Sequence, residues 1–458
     1  MIDRFKGKQG LSAMLSMGML YASRTASVLV GFVFLPLYSR LLGAEQFGLV
    51  AVILSMQALL MMLDLGMSVL VSRDLAMSNS DNAINRLLIR NAKLALTGFY
   101  AILLAAAIIV KLAGGMQSVS FITVIGAVIL FWILVLQNMY SAATIACRAY
   151  TLASTLQLLG VTARAGITAL VLAKVSPTLE AFVVAQLSVS VLHLLFTRWS
   201  FVKTLSMPAG SAKVPRATWP LAWQLLKRGR SLALFSLAGA AVMQLDKPVI
   251  SAFVSAAEVA PYFLATTLCI VPLTVLAGPV SQYFQPQLLH AMSESNADRA
   301  ARTIRQFSLI LPIITLLPGA IFWMLRAPFI ELWMGHHGIN NAAIDHYVGI
   351  LLPGFAVGAL GYIPYSLLLS AKDFKFQAWL SVLMTLCTLI AAVFFAWSKS
   401  VENVCYVYVA YHCSSTLLSW LRAALLDVTR QLAITSFKIA ATCFVAIGFF
   451  AVLTGYFY

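Results

Sequence analysis

The stretch that decides the fold is FLPLYSRLLGAEQFGLVAVILSMQALLMMLDLGMSVLVSRDLA, residues 34–76. It contains the end of one apolar helix, a short polar turn at residues 40–48, and a second apolar helix that closes at residues 63–66. The glycines and Glu45 indicate a turn in contact with water, and Arg73 marks the opposite membrane face by its positive charge. The stretch therefore predicts a membrane hairpin of two helices joined by a short turn.

The composition extends this prediction to the whole chain. Hydrophobic residues make up 61% of the 458 residues and charged residues only 10%, whereas roughly a quarter of the residues in a soluble domain are charged. An all-α polytopic membrane protein fits this balance, because a helix satisfies its own backbone hydrogen bonds inside a bilayer. The net charge of +16 does not indicate nucleic acid as a partner, since no stretch is long and polar enough to form a basic soluble domain.

Neither a metal nor another cofactor is expected. The six cysteines lie inside or at the ends of apolar segments, without C-x-x-C spacing: Cys147, Cys269, Cys387, Cys405, Cys413 and Cys443. This arrangement supports neither a disulfide framework nor a zinc site. The apolar run after the basic N-terminus continues for about 28 residues, too long for the core of a cleavable signal peptide. The first helix is therefore expected to remain in the mature protein.

Thirteen apolar runs approach or exceed the roughly 20 residues that a helix needs to cross a bilayer. They lie near residues 11–39, 47–72, 87–112, 119–146, 151–174, 178–197, 231–255, 259–285, 304–326, 345–370, 374–397, 402–424 and 433–457. Lys and Arg accumulate on the cytoplasmic side of membrane proteins. With the N-terminus inside, 23 of the 31 Lys and Arg residues fall at cytoplasmic ends and 5 at the opposite ends. This asymmetry predicts a cytoplasmic N-terminus and an external C-terminus.

A basic segment after the sixth run divides the chain into two halves. Residues 198–230 contain seven basic residues, three prolines and no acid, which indicates a cytoplasmic linker. A short repeat agrees with this division, because AEQFG at residues 44–48 has a counterpart, AEVAP, at residues 257–261. The predicted domains are a six-helix lobe at 1–197, the linker at 198–230, a second six-helix lobe at 231–424 and an extra transmembrane helix at 425–458.

Part of the linker is amphipathic. Residues 219–228, WPLAWQLLKR, combine two tryptophans with two basic residues. Such a stretch fits an anionic lipid surface, and it equally fits a tail packed against the helical bundle.

The motif in the opening stretch resembles a known family. Bacterial polysaccharide flippases of the Wzx type carry a similar R-x-L-G-x-x-x-[FY]-G turn followed by a D-L-G helix end, and they share the MOP superfamily with the MATE exporters and the lipid II flippase MurJ. The matching residues are Arg40, Leu42, Gly43, Phe47, Gly48, Asp64, Leu65 and Gly66. The resemblance implies two six-helix lobes around a central cavity, related by a pseudo-twofold axis along the membrane normal. The additional C-terminal helix departs from a twelve-helix core.

Ionisable residues inside the apolar runs are the candidate functional residues, because a charge at the bilayer centre costs about 2.5 to 3.5 kcal/mol even on the most lenient scale. The candidates for substrate binding are Arg24, Arg164, Lys247 and Arg40. The candidates for coupling or gating are Asp64, Asp246 and His412. A Ser-Arg pair at residues 23 and 24 also resembles the cavity arginine of MurJ-like flippases. The alternative for Arg24 is a structural ion pair with Asp64 or Asp246.

Geometry and packing set two further expectations for these residues. Asp246 and Lys247 are adjacent, so on one helix their side chains point about 100° apart and are expected to face different surroundings. His193 and His412 are expected to be packed and hydrogen-bonded within the bundle, with proton transfer as the less favoured alternative.

Three function classes follow from this reading. The first is a flippase that moves an undecaprenyl-diphosphate-linked oligosaccharide across the bacterial inner membrane by alternating access, with fixed arginines replacing the hydration of the anionic cargo. The second is a MATE-like cation or drug antiporter, or a MurJ-like lipid II flippase. The third, a scaffold or a membrane enzyme, lacks a catalytic region and leaves the central arginines unexplained. Membrane lipids and the polysaccharide polymerase machinery are the expected partners.

Overall fold

The computed structural model describes residues 2–62, 64–77, 82–115, 119–147, 149–204, 216–294, 296–335 and 340–455. Within these ranges, the side chains of residues 2–21, 24, 76, 77, 82–84, 204, 230–239 and 450–455 lie outside the description.

The described residues form helices and no strand, as the composition predicts. The sixteen helices are α1 (Ile2–Met62), α2 (Met67–Met77), α3 (Asn82–Leu112), α4 (Phe121–Ala146), α5 (Tyr150–Lys174), α6 (Leu179–Thr204), α7 (Trp219–Gln244), α8 (Asp246–Ser251), α9 (Ala256–Ser293), α10 (Ala297–Met324), α11 (Arg326–Met334), α12 (Asn341–Leu360), α13 (Tyr362–Ser370), α14 (Phe374–Trp397), α15 (Val401–Leu425) and α16 (Arg430–Gly455).

The predicted turn at residues 40–48 is shorter in the structure than in the sequence analysis. Gly43 is the residue at which α1 leaves helical geometry, with φ 74° and ψ 172°, and the backbone is helical on both sides of it. A side chain would be strained at this positive φ, so glycine suits the position. Gln46 follows the break, and its side-chain oxygen accepts a hydrogen bond of 2.8 Å from the Leu179 amide at the start of α6. The turn therefore anchors a second helix.

The D-L-G segment is a second break, and Asp64 organises it. Leu65 and Gly66 both adopt positive φ, 56° and 72°. The two carboxylate oxygens of Asp64 accept hydrogen bonds of 2.9 Å from the Gly66 amide and 3.0 Å from the Ser68 amide. Asp64 thus caps the N-terminus of α2, where unpaired backbone amides favour a negative charge.

Ten helical stretches among the described residues are long and apolar enough to cross a bilayer. The first, Thr25–Leu75, covers two predicted spans on either side of Gly43. Two other predicted spans, 231–255 and 402–424, are largely helical in α7, α8 and α15 but fall outside this apolar set. The chain is therefore a multi-pass, all-α membrane protein, and the total of thirteen spans stays a prediction.

The chain divides into two compact units, Met1–Ala240 and Ala241–Tyr458. In the first unit, α2 packs on α4, and α6 packs on both α4 and α5. In the second unit, α9 packs on α12, and α15 packs on both α12 and α14. When α8 and the end of α7 are taken as the counterpart of the first half of α1, the pairs α2–α4, α4–α6 and α5–α6 correspond in order to α9–α12, α12–α15 and α14–α15. This agrees with a repeat of six spans, whereas the pseudo-twofold axis and the predicted domain limits stay predictions.

Helix α7 differs from the sequence prediction because it begins inside the predicted linker and runs unbroken over Trp219–Gln244. Its first turns are amphipathic. Ala222, Leu225 and Gly229 are buried at helical spacing, whereas Trp223 on another face is exposed. Leu225 belongs to the apolar core of the first unit. One face of the segment is therefore packed on the bundle, and contact of the exposed face with lipid stays a prediction.

Candidate functional site

The first unit contains a polar cavity between α4, α5 and α6. Its volume is about 110 Å³, which is room for a few water molecules or a small polar group. The lining residues are Met61 from α1; Leu134, Gln137, Asn138, Ser141 and Thr144 from α4; Ala153, Leu156, Gln157, Val161 and Arg164 from α5; and His193 and Thr197 from α6. The lining contains no Asp or Glu side chain, so the cavity has no fixed negative charge.

Helical periodicity places these side chains together. Gln137, Ser141 and Thr144 lie on one face of α4 at spacings of four and three residues, and Gln157 and Arg164 lie two turns apart on α5. Arg164 was predicted from its charge inside an apolar run, whereas the neutral polar residues were not predicted. Their signal was a polar stripe at helical spacing inside otherwise apolar helices.

Arg164 is the cation of this cavity. It is half-buried, and it lies close enough to Tyr38 and His193 for its charge to act on both. Within the described part of the chain, no carboxylate interacts with its guanidinium. The Tyr38 hydroxyl donates a hydrogen bond of 2.9 Å to the Ala165 carbonyl and so ties α1 to α5 beside the cavity. A half-buried guanidinium without an acid is suited to bind an anionic group that enters from outside.

His193 forms one wall of the cavity. Its imidazole occupies the space that a Cβ atom would fill at Gly160, so α5 and α6 approach closely there. The ring also hydrogen-bonds to the Leu156 backbone. The expectation of a packed, hydrogen-bonded histidine is therefore confirmed for His193.

The neutral side chains of the cavity are held by bonds to the helices. The Gln137 side-chain nitrogen donates a hydrogen bond of 2.6 Å to the Ser190 carbonyl. The Gln137 side-chain oxygen takes no part in this bond. Asn138 donates a hydrogen bond of 3.4 Å to the Ser68 hydroxyl. The site therefore combines a cation with neutral amides and hydroxyls, the groups that bind phosphate or sugar oxygens.

The second unit contains a buried ion pair, which corrects the expectation for Asp246 and Lys247. The two side chains face each other, with Nζ 2.8 Å from Oδ2, and they are 2% and 5% exposed respectively. The long lysine stem turns the ammonium back to its neighbour, where it also donates to the Met243 carbonyl at 3.2 Å. The Tyr262 hydroxyl donates to the same Oδ2 at 2.7 Å. The 100° separation of adjacent positions therefore did not keep the two charges apart.

This ion pair is incompletely satisfied. Asp246 Oδ1 is buried and has no hydrogen-bond partner in the described structure. Tyr408 lies close enough to feel the Asp246 charge, and its hydroxyl donates 2.9 Å to the Val242 carbonyl. In this conformation the ammonium of Lys247 is committed to Asp246. The substrate-binding role of Lys247 and the coupling role of Asp246 stay predictions.

His412 is packed as expected but is not hydrogen-bonded through Nε2. The centres of the His412 and Phe355 rings are 4.4 Å apart. The His412 ring also occupies the space that a Cβ atom would fill at Gly358. The buried Nε2 atom lacks a partner among the described residues. The prediction that His412 is packed within the bundle is confirmed. The prediction that it is hydrogen-bonded is wrong for Nε2. A role of His412 in coupling stays a prediction.

The remaining candidates are spread along α1 and its C-terminal end. Arg40 is exposed, and Asp64 is buried where it caps α2. The side chain of Arg24 lies outside the described residues. Neither Arg40 nor Asp64 lines the Arg164 cavity, and the predicted roles of Arg24, Arg40 and Asp64 stay predictions. No group of three metal-ligating side chains occurs within the described ranges.

The fold is similar to that of solved MOP superfamily transporters. A multidrug resistance MATE family transporter in an inward-facing conformation superposes with a TM-score of 0.73 at 12% identity, over 89% of this chain and 95% of the other. The lipid II flippase MurJ in an inward closed conformation gives 0.71 at 12% identity, over 97% and 96%. A MOP superfamily transporter from Pyrococcus furiosus, described by the reverse polarity of its binding pocket and a different function, gives 0.61 at 15% identity, over 92% and 95%.

Sequence comparison supplies the family. No curated protein matches the chain significantly. The family model described as polysaccharide biosynthesis protein matches residues 16–290, which is more than half of the chain. This match establishes that the chain belongs to the polysaccharide biosynthesis protein family.

Proposed function

We propose that this protein is a flippase that carries an undecaprenyl-diphosphate-linked oligosaccharide across the bacterial inner membrane by alternating access. The family supports a role in polysaccharide biosynthesis, and the fold is one that a lipid II flippase also uses. In this proposal the N-terminus is cytoplasmic, the two lobes move against each other, and the polymerase machinery receives the product. The protein transports its cargo and performs no chemistry on it.

The observation that carries this proposal is the charge of the Arg164 cavity. A guanidinium held half-buried without a carboxylate is retained at a desolvation cost, which an anionic ligand would offset. A diphosphate or an acidic sugar supplies such an anion, and a guanidinium binds two of its oxygens at once. The amides and hydroxyls around Arg164 offer further bonds to sugar oxygens.

The proposed energy source is an ion gradient or the membrane potential, since the sequence carries no P-loop. Asp246 is the proposed coupling group, because its buried Oδ1 has no hydrogen-bond partner among the described residues and is free to take a new one. Lys247 provides its counter-ion in the present conformation.

The second candidate is a MATE-like cation antiporter, favoured by the similarity of the fold to a multidrug MATE transporter. A cationic cargo calls for a cavity acid. The Arg164 cavity has none, and Asp246 already holds an internal cation. The Pyrococcus furiosus relative is described as having a binding pocket of reverse polarity, which suggests a different function. This supports the idea that the charge of the pocket distinguishes the functions of proteins with this fold.

Complementation of a strain that lacks its own copy of this gene tests the proposal. Arg164→Ala should lower surface polysaccharide about tenfold or more, because a hydrogen bond to a charged group contributes about 1.5 to 3 kcal/mol. Arg164→Lys should retain part of the activity, since charge survives and the planar fork is lost. Lys174→Ala is the matched control, because Lys174 is an exposed cation at the end of the same helix.

Protein abundance in the membrane is measured in parallel. Normal polysaccharide from Arg164→Ala at normal abundance would contradict the role of this cavity in carrying an anionic cargo.

A further inference from the structure

The second unit contains an apolar groove where α10 meets α12 and α16, both of which pack on α10. Its volume is about 190 Å³. Its lining includes Gly319, Ala320 and Trp323 from α10, Leu352 and Ala356 from α12, and Gly448 from α16. The spacings of three and four residues within α10 and α12 place these side chains on one face of each helix.

The groove is open at the surface and contains unfilled space. Pro353 and Phe444 line it and are exposed. A Cβ atom at Gly319 or Gly448 would meet nothing of the surrounding structure within 4 Å. All three helices belong to stretches that are long and apolar enough to cross a bilayer. A hydrocarbon chain of a membrane lipid therefore has the chemistry that fits this groove.

A charged pair lies at one end of the groove. Arg326 begins α11, two residues after the end of α10, and Asp345 lies on the face of α12 that continues to Leu352 and Ala356. Nε of Arg326 is 3.1 Å from Oδ1 of Asp345, and the two side chains are 28% and 29% exposed. The guanidinium also lies 4.9 Å from the centre of the Trp323 ring, which lines the groove. The charged pair therefore adjoins the apolar surface directly.

Contacts with the backbone hold this end of the groove in place. The Trp323 indole donates a hydrogen bond of 3.1 Å to the Gly349 carbonyl of α12, and Arg326 Nη1 donates one of 2.8 Å to the Trp323 carbonyl. A Cβ atom at Gly349 would be 3.5 Å from Arg326 Nε, so the guanidinium lies over this glycine. Within the described part of the chain, Arg326 Nε and Asp345 Oδ1 form no hydrogen bond. The pair is thus fixed in position but incompletely hydrogen-bonded.

The position and charges of this end favour one class of lipid. Arg326 and Asp345 lie near the ends of two membrane-crossing stretches and beside a tryptophan, as is typical of the headgroup level of a bilayer. Their adjacent opposite charges complement a headgroup that carries both a phosphate and an ammonium. A lipid diphosphate, such as the proposed cargo, carries only negative charge there, which Asp345 would repel.

We propose that this groove binds phosphatidylethanolamine, with one acyl chain in the space beside Gly319 and Gly448. The lipid phosphate binds the guanidinium of Arg326, and the lipid ammonium binds the carboxylate of Asp345. The site lies in a different unit from the Arg164 cavity and does not depend on the proposed transport function.

Photocrosslinking of the purified full chain in vesicles tests this site. The probe is phosphatidylethanolamine with a photoreactive diazirine in one acyl chain, and the labelled peptides are identified by mass spectrometry. The wild type should be labelled on the segments of α10 and α16 that line the groove. G319L/G448L should lose this labelling, because the leucine side chains fill the groove. The matched control is G31L/G278L, since a Cβ atom at either of these glycines also meets nothing within 4 Å.

Competition with unlabelled lipids tests the headgroup assignment. In the wild type, phosphatidylethanolamine should compete better than phosphatidylglycerol. Asp345→Asn leaves Arg326 as a net cation, so the ratio of the two competitors should shift about fivefold or more towards phosphatidylglycerol. A misfolded protein would not produce this reversal. Glu294→Gln, which removes an exposed acid of the same unit, should leave the order unchanged.

Two sets of outcomes would overturn the proposal. Unchanged labelling in G319L/G448L, or an equal loss in G31L/G278L, would show that the lipid chain does not lie in the groove. Equal competition by the two phospholipids in the wild type, or an unchanged order in Asp345→Asn, would refute the headgroup assignment. Stronger competition by undecaprenyl phosphate than by phosphatidylethanolamine would assign the groove to an isoprenoid tail instead.

Discussion

Removing one member of the buried pair Asp246 and Lys247 should destabilise the second unit strongly. Lys247→Met leaves a carboxylate that is 2% exposed with one hydrogen bond from Tyr262. Asp246→Asn leaves an ammonium that is 5% exposed with one bond to the Met243 carbonyl. Because both groups are buried, solvent screening does not reduce the effect, and each single change should cost about 3 to 5 kcal/mol of unfolding free energy.

The double variant Asp246→Asn with Lys247→Met removes both charges. It should recover most of the loss and lie within about 1 to 2 kcal/mol of the wild type, because Asn can still accept from Tyr262 and Met fills the volume of the lysine stem. The assay is the free energy of unfolding in mixed micelles, determined for all four members of the cycle.

The exposed pair Glu294 and Arg299 serves as the internal control. Their side chains are 46% and 47% exposed and 3.4 Å apart, so either single change should cost less than about 1 kcal/mol. A loss at Asp246 or Lys247 no larger than in this control would refute the reasoning. A double variant as unstable as the sum of the two single variants would refute it as well.

Three further predictions concern the first unit and the topology. Arg24→Ala should abolish polysaccharide export at normal protein abundance, and Arg24→Lys should keep part of it; a fall in abundance would show a structural role instead. Gly160→Ala places a methyl group against the His193 ring and should cost about 1 to 3 kcal/mol, whereas Gly166→Ala on the same helix meets nothing within 4 Å and should leave thermal stability in detergent unchanged or raised. A reporter fused after Tyr458 should signal an external location, and a cytoplasmic signal would show that the span count is wrong.

The sequence was sufficient for the features that one chain segment determines by itself. Apolar runs identify membrane helices because the bilayer demands length and hydrophobicity in each segment separately. Helix breaks at Gly43 and Gly66 could be predicted because glycines beside polar residues between two apolar runs indicate a turn. Both lie where the backbone takes a positive φ. Arg164 stood out because a charge in an apolar run is costly wherever the rest of the chain lies.

The features that could not be predicted from the sequence depend on contacts between separate segments of the chain. Asp246 pairs with Lys247 in a buried setting that includes the Tyr262 hydroxyl from the next long helix, and periodicity alone does not place that residue. The neutral members of the Arg164 cavity, such as Gln137, carry no charge to distinguish them from ordinary polar residues of a membrane helix. The early start of α7 follows from burial of residues such as Leu225 against the first unit, which the prolines and charges of the segment concealed.

Transport of an anionic lipid-linked glycan is the central claim, and reconstitution tests it most directly. The purified wild type and Arg164→Ala are placed in vesicles that contain a fluorescent undecaprenyl-diphosphate-linked oligosaccharide, and its movement between leaflets is measured beside the uptake of a lipophilic cationic dye. The wild type should move the glycan lipid and leave the dye, and Arg164→Ala should lose most of the glycan movement. Dye uptake by the wild type without glycan movement would contradict the account.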